Sequence, residues 1–361
     1  MTRSRFLLLI LVSVLLAASI MIVAAAPLSQ PVNPPVDGGV QNPDAPIVRA
    51  PSACSTPTTQ TIRGKSVIFD QCYQRNFSHN GTNYSIETYY RETANTTNTN
   101  QCSTAENNAG RCEHELANND DSNGNNVNAV AMAAEAETAM RFYADRNLTF
   151  LPGTTLQIYI AEDPRLGGTP TTASIQIDDE NIDNNDTLNK RLLAFHEIMH
   201  LVQYNYDSAT GWQDFFGEGI ARTIEDRVDT TLDADTGHLF VPEVNGILGS
   251  DANRTSDLST INYRSVLWWT WLMDQYRTGG EVAPVQGWQA IRDFYIELNT
   301  DSSQVNAVRD FISDQGSNFR DDFIDYTLSL FAYRFNPPDP RLTYLDNEIR
   351  NNTSGLSGHT V

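Results

Sequence analysis

The sequence predicts an α+β fold, in which a strand-rich N-terminal stretch is followed by a mainly helical C-terminal part. β-Branched and aromatic residues fill the runs 66–69 and 84–90, and the turn Asn80-Gly81 between them is typical of a β-hairpin. From Leu192 onward, apolar residues recur at helical spacing between polar loops. The chain of 361 residues, 40% of them hydrophobic, is long enough to bury a substantial core.

The N-terminus has the pattern of a secretory signal peptide. Arg3 and Arg5 precede an uncharged run from Phe6 to Ala26. This run is also nearly long enough to cross a bilayer, and Pro27 would hinder cleavage after Ala26, so an uncleaved membrane anchor is the alternative. Both interpretations place the rest of the chain outside the cytoplasm, either secreted or anchored to the membrane.

Residues 27–53 contain seven prolines and no helix or strand pattern, which predicts an extended linker. The next region, 54–115, is expected to be a small disulfide-linked β region or a propeptide. Its four cysteines are Cys54, Cys72, Cys102 and Cys112. An even count in an exported chain predicts two disulfides, and pairing each cysteine with its neighbour closes the shortest loops.

The net charge of −21 argues against nucleic acid and anionic membranes as partners, because a surface of this sign repels both. Oxygen-rich stretches at 116–126, 178–186 and 233–235 could bind calcium. None matches an EF-hand loop, however, and solvated loops are the preferred interpretation.

Region 116–335 is predicted to form the main domain. It begins with an alanine-rich helix from Val127 to Asn147, and then a strand at 156–160 and an alternating, half-buried edge strand at 173–178. Helices are expected around His196 and Glu218, and at 264–277, 287–298, 304–313 and 319–334. A polar tail, 336–361, follows, since Pro337 and Pro338 end the last helix.

One group of residues, His196, Glu197, His200 and Glu218, indicates metal chemistry. Histidines at i and i+4 lie on one helix face about 6 Å apart, so both can reach one ion. Glu197 is placed to take a proton from a water beside that ion. Glu218, from a second helix, would complete a His2Glu set with one open position, which is how catalytic zinc is held.

These residues therefore predict a zinc hydrolase that acts on a peptide or protein substrate. The alternative is a core helix whose histidines are satisfied by hydrogen bonds. It is disfavoured because the chain has only six histidines, so the motif would rarely arise by chance.

The motif residues resemble those of the gluzincin clan of zinc metallopeptidases, nearest to the M1 aminopeptidases and related secreted bacterial proteases. They are His196-Glu197-x-x-His200, Trp212, Glu218-Gly219-x-Ala221 and Glu225. The resemblance covers about 125–335. It implies a thermolysin-like catalytic domain, in which a small sheet and the active-site helix are followed by a mainly helical lobe.

The resemblance also implies a role for each matching residue. His196, His200 and Glu218 would bind zinc, and Glu197 would be the general base. Glu225 would hydrogen-bond an imidazole of one of the ligands, because it lies at i+7 from Glu218 on the same helix face.

The resemblance is incomplete in one respect that bears on activity. Aminopeptidases of this branch carry a Gly-x-Met-Glu-Asn segment that binds the free amine of the substrate, and this chain has none. An endopeptidase is therefore expected, with an exopeptidase as the alternative. A non-catalytic binding module on the same fold is a third hypothesis, against which the intact motif argues. Tyr263 is the candidate donor to the developing oxyanion, with His238 as runner-up.

Overall fold

The computed structural model confirms the α+β class. The residues that it describes are 54, 58–62, 65–91, 116, 120–151, 153–161, 174–177, 182, 187–206, 215–228, 265–277, 287–301 and 303–332. All of them lie in the second of two units of the chain, residues 50–361. The predicted signal segment 1–26, linker 27–53 and tail 336–361 lie outside them. Among the described helices, none is both long and apolar enough to cross a membrane.

The strands form two sheets. The first pairs β1 (Thr58–Ile62) with β2 (Lys65–Phe69) in antiparallel orientation. The second contains, in spatial order, β3 (Gln71–His79), β4 (Thr82–Tyr90), β5 (Thr155–Ile160) and β6 (Ser174–Ile177). β3 and β4 are antiparallel, whereas β5 runs parallel to both β4 and β6. Each predicted strand run overlaps one of these strands, and β4 begins two residues earlier than predicted.

Asn80 and Gly81 form the predicted two-residue turn between β3 and β4. Both have positive φ, 49° and 80° respectively, as a type I′ turn requires. His79 pairs with Thr82 directly at the turn. The turn thereby sets the register of both strands.

The four-stranded sheet combines strands from both sides of the expected boundary at residue 116. β3 and β4 come from 54–115, yet Ser85–Tyr89 of β4 pairs with Thr155–Tyr159 of β5. Cys54 and Cys72 form a disulfide, with their Cα atoms 5.8 Å apart. Cys102 and Cys112 lie outside the described residues. The disulfide-linked region therefore supplies two strands of the main sheet.

β6 is the last strand in the described order of this sheet, as expected of an edge strand. Its burial does not follow the expected alternation, because Ser174, Ile175 and Ile177 are all buried and only Gln176 is partly exposed. Neighbouring helices and strands thus cover both faces of most of this short strand. The sequence of this strand indicates alternating residues, but it does not indicate which neighbouring elements cover each face.

The helices fall close to the predicted positions. They are α1 (Val127–Asp145), α2 (Thr187–Tyr206), α3 (Gly217–Asp226), α4 (Val266–Gln275), α5 (Trp288–Thr300), α6 (Gln304–Asp314) and α7 (Phe319–Ala332). Three are capped by side chains of their preceding residues. Asn126 accepts hydrogen bonds from the backbone at the start of α1, and Ser303 and Asn318 do the same for α6 and α7.

The core lies between the sheet and the helices. Small residues of α1, including Ala133 and Ala136, are fully buried, which lets α1 pack closely against α2. The hydroxyl of Tyr143 on α1 donates a hydrogen bond of 2.7 Å to the carbonyl of Phe195 on α2. The tryptophans of α4 are buried as well, in agreement with their interpretation as core residues: Trp268, Trp269 and Trp271. Helix α2 is thereby packed against α1 within this core.

One of the acidic loops lies partly within the described residues. A carboxylate oxygen of Asp121 accepts hydrogen bonds from the backbone N–H groups of Asn123 and Asn125. These bonds lower the pKa of Asp121, since they stabilise its charged form. The Asp121 side chain thus bonds to the backbone of its own loop, as expected of a solvated loop.

Candidate metal centre

Helix α2 brings His196 and His200 together in the core. The helix is apolar on the side that faces the core, and both imidazoles are buried with it. Because the two residues are one turn apart, their rings meet, with the Nε2 atoms 3.1 Å from each other. This is the spacing from which two nitrogens can reach one ion.

The third side chain, Glu218, comes from the first turn of α3, which packs against α2. Its carboxylate oxygens lie 3.3 Å from His196 Nε2 and 3.6 Å from His200 Nε2. A carboxylate is favoured at this position because the N-terminus of a helix carries partial positive charge. Glu218 is also the most exposed of the three, at 28% of its side chain.

The remaining ring nitrogens are held by other side chains. His196 Nδ1 donates to Glu225 Oε1 at 2.6 Å, and the other oxygen of Glu225 accepts from Arg222 at 2.6 Å. His200 Nδ1 lies 2.8 Å from Gln203 Oε1. Both Nδ1 atoms are therefore engaged away from the centre, which leaves both Nε2 atoms directed toward Glu218.

These contacts fit a zinc ion. Two imidazole nitrogens and a carboxylate oxygen converge within 4.8 Å of one another, and His2Glu is a donor set of catalytic zinc. Each imidazole also has a hydrogen-bond partner at its other nitrogen, as zinc-binding histidines usually do. In the part of the chain that the structure describes, this is the one group of three His, Cys, Asp or Glu side chains placed to share an ion.

Glu197 lies next to His196 and does not join this group of ligands. Its Oε2 atom is shielded from solvent and has no hydrogen-bond partner among the described residues. Burial raises the pKa of Glu197 to about 7; nearby Glu218 and Glu225 add to the rise, whereas His196 opposes it. A carboxylate with these properties can accept and release a proton near neutral pH.

In the metal-free protein, the pKa values of the two histidines are shifted in opposite directions. Burial opposes protonation of His196, but its bonds to Glu218 and Glu225 outweigh this and raise its pKa to about 10. Burial, together with the nearby charge of His196, lowers the pKa of His200 to about 4. At neutral pH, His196 is therefore the positively charged imidazole of the pair and His200 the neutral one.

The structure brings together five of the residues predicted for the site. They are His196, Glu197, His200, Glu218 and Glu225. Tyr263, His238 and Trp212 lie outside the described residues, so the oxyanion donor stays a prediction.

Two residues near the site were missed in the sequence. Gln203 could have been found, because an amide at i+3 from His200 lies within reach of its ring. Tyr204, one turn beyond His200, lies near enough to Glu218 and Glu197 that their charges, after burial, contribute to a raised pKa. A single tyrosine on a helix gives no signal that separates such a role from packing.

No family model and no curated protein matches the sequence. Similar solved structures include an M1 zinc metallopeptidase from Deinococcus radiodurans, with a TM-score of 0.41 and 12% identity over 72% of this chain. Another is a two-domain M1 zinc metallopeptidase variant bound to L-arginine, with a TM-score of 0.41 and 10% identity. The likeness covers 56% and 55% of those two chains, so this chain matches little more than half of their length.

Proposed function

We propose that this protein is a zinc-dependent peptidase with Glu197 as its general base. The observation that carries the proposal is the convergence of His196, His200 and Glu218 within 4.8 Å, beside a buried carboxylate oxygen that has no partner in the described structure. A purely structural metal site would not require that fourth group. Catalytic zinc sites, by contrast, keep one position open for water and substrate.

In this proposal, the two Nε2 atoms and the Glu218 carboxylate hold the ion. Zinc, when bound, lowers the pKa of water and polarises a carbonyl group. Glu197 then accepts the proton of the attacking water at its carboxylate and delivers it to the leaving amine nitrogen. In the metal-free protein, burial raises the pKa of Glu197, and its Oε2 atom has no hydrogen-bond partner among the described residues.

The finer assignments also belong to this proposal. We infer a thermolysin-like arrangement, since the sheet and α2 precede a mainly helical part. Endopeptidase activity is supported by the absence of a Gly-x-Met-Glu-Asn segment from the full sequence. A location outside the cytoplasm is supported by Arg3, Arg5 and the apolar run 6–26, whether this segment is cleaved or anchors the protein.

The test compares the full-length protein with Glu197→Gln and with Glu297→Gln. Glu297 is the control for the same chemical change, because it lies on α5 outside the candidate site. We expect one zinc in all three proteins, and cleavage of casein in the wild type and Glu297→Gln only. Zinc in none of them, or undiminished cleavage by Glu197→Gln, would refute the proposal.

A second assay separates the two kinds of peptidase. An endopeptidase cleaves peptides whose N-terminus is acetylated, whereas an aminopeptidase requires a free amine. We expect cleavage of the blocked peptides at internal bonds. Activity on unblocked peptides alone, with stepwise release of single amino acids, would instead establish the exopeptidase alternative.

A further inference from the structure

The amide of Gln203 joins one candidate zinc ligand to the helix that carries another. Gln203 lies on α2, three residues after His200, and is almost fully buried, at 1% exposure. Its Oε1 lies 2.8 Å from His200 Nδ1, and its Nε2 donates to the carbonyl of Gly217 at 2.9 Å. Gly217 is the first residue of α3 and directly precedes Glu218.

The orientation of this amide follows from its partners. A backbone carbonyl can only accept a hydrogen bond, so the group of Gln203 that faces Gly217 is the NH2. The amide oxygen then faces His200 Nδ1 and can only accept from it. His200 must therefore carry its proton on Nδ1, which leaves a lone pair on Nε2.

Gln203 is itself held by surrounding core residues. Tyr295 on α5 lies close to its side chain, and the ring of Tyr295 stacks on that of Tyr206, with centroids 5.1 Å apart. The amide therefore has few alternative rotamers. A constrained partner fixes the plane of the imidazole as well as its proton.

The partner of His200 is also neutral, unlike that of His196. Three carboxylates already surround the site: Glu197, Glu218 and Glu225. A fourth would add a negative charge that has to be buried with them. An amide orients the ring without that cost, because it accepts the Nδ1 proton while uncharged.

We infer that Gln203 is a positioning residue, which presents His200 Nε2 to the metal and fixes α2 to the start of α3. The inference rests on the proposed function, because that function identifies the ion at this site as zinc. Its test uses the zinc affinity of the full-length protein, measured by competition with a chelator, for the wild type, Gln203→Met and Gln203→Glu. Gln157→Met is the matched control, because Gln157 lies on β5, where it hydrogen-bonds Glu87.

We expect Gln203→Met to bind zinc about 10–100-fold more weakly than the wild type, as is typical when the partner of a metal-binding histidine is removed. Gln157→Met should bind zinc as the wild type does. Gln203→Glu should bind zinc more tightly than Gln203→Met, because a carboxylate still accepts the Nδ1 proton, but more weakly than the wild type, because it cannot donate to the carbonyl of Gly217. Equal zinc affinities of Gln203→Met and Gln157→Met would overturn the inference. So would a zinc affinity of Gln203→Glu as low as that of Gln203→Met.

A measurement on the metal-free protein separates this inference from the proposed function. Imidazole ¹⁵N spectra distinguish a proton on Nδ1 from one on Nε2. We expect His200 to be protonated on Nδ1 in the wild type and in Gln203→Glu, whether or not zinc binds. A wild-type His200 protonated on Nε2 would overturn the inference, whereas failure of the wild type to bind zinc would overturn the proposed function. If Gln203→Met does not fold, the zinc affinity and the imidazole ¹⁵N spectrum of Gln203→Glu provide the test instead.

Discussion

A side-chain carbon at Gly219 would lie 1.7 Å from Oγ of Ser265, well inside van der Waals contact. Ser265 directly precedes α4, and its hydroxyl donates a 2.8 Å hydrogen bond to the carbonyl of Phe215. The indole of Trp269 donates to the same carbonyl at 2.8 Å. The beginning of α3 is thus packed against α4 at a distance that only glycine permits, and Glu218 is the residue next to this contact.

Gly219→Ala should therefore destabilise the protein and weaken its zinc binding. The added carbon would clash with Ser265 and would also lie 3.0 Å from a carbon of Trp269, so α3 has to move. Overpacking of this kind costs about 1–3 kcal/mol in the free energy of unfolding. Urea unfolding of the metal-free protein measures that cost, and chelator competition measures the displacement of Glu218.

Two further variants make this prediction specific. Gly153→Ala is the control, because no atom lies within 4 Å of the carbon that it adds, and it should leave both measurements nearly unchanged. In the double variant, Ser265→Gly removes the two shortest contacts of the alanine and should restore part of the stability. If Gly219→Ala has the same stability and zinc affinity as the wild type, then the position of α3 does not depend on this close approach.

Glu225→Gln should weaken zinc binding by about 10–100-fold, because Glu225 holds His196 through its Nδ1 atom. The glutamine retains an acceptor oxygen but loses the charge that pairs with His196 and Arg222. Chelator competition provides the measurement, with Glu297→Gln again as the control. If Glu225→Gln binds zinc as tightly as this control, then Glu225 does not orient the ligand.

Features that depend only on residues close together along the chain could be predicted from the sequence. The Asn80-Gly81 turn requires only two positive φ angles, and the pairing of His196 with His200 requires only helical spacing. The position of Glu225 follows similarly from its spacing to Glu218 along α3. The C-terminus of α1 shows the limit of this reasoning. The helix ends at Asp145, two residues early, because Asn147 adopts a left-handed φ of 54°.

Features that depend on packing between distant segments could not be predicted. Parallel pairing of β4 with β5 leaves no local signal, so the expected regions on either side of residue 116 do not reveal that they share a sheet. The bond from Gln203 to Gly217 and the approach of Gly219 to Ser265 likewise depend on how three helices pack. The sequence motif identifies the candidate ligands, whereas the contacts that hold them require the tertiary structure.

Zinc binding should release about one proton per site at pH 7.5, since coordination requires a neutral histidine. In the metal-free protein, His196 holds that proton, with its pKa raised to about 10. The measured affinity should therefore rise as the pH increases toward 10. Calorimetric titration in two buffers with different heats of ionisation gives the number of protons released, and identical heats in both would contradict the prediction.

The stability of the metal-free protein should change with pH in the opposite direction. A folded-state pKa above the unfolded value, about 6.5 for histidine, stabilises the fold fully at pH values below the unfolded pKa. This contribution from His196 is lost as the pH rises through its folded pKa of about 10. Urea unfolding of the metal-free protein between pH 6.5 and 10 measures this, and Glu225→Gln should reduce the dependence, because it removes a charge that raises the pKa of His196.

The opposite end of α3 is joined to α4 by a buried ion pair between Arg227 and Asp274. Their charged atoms lie 2.8 Å apart, and both side chains are at most 1% exposed. Replacing Asp274 by asparagine would leave a buried guanidinium without its counter-charge, which typically costs about 3–5 kcal/mol. The double variant Arg227→Met/Asp274→Leu removes both charges and should recover most of that loss in urea unfolding. A double variant that is less stable than Asp274→Asn would show instead that the pair stabilises α3 by more than the cost of burying it.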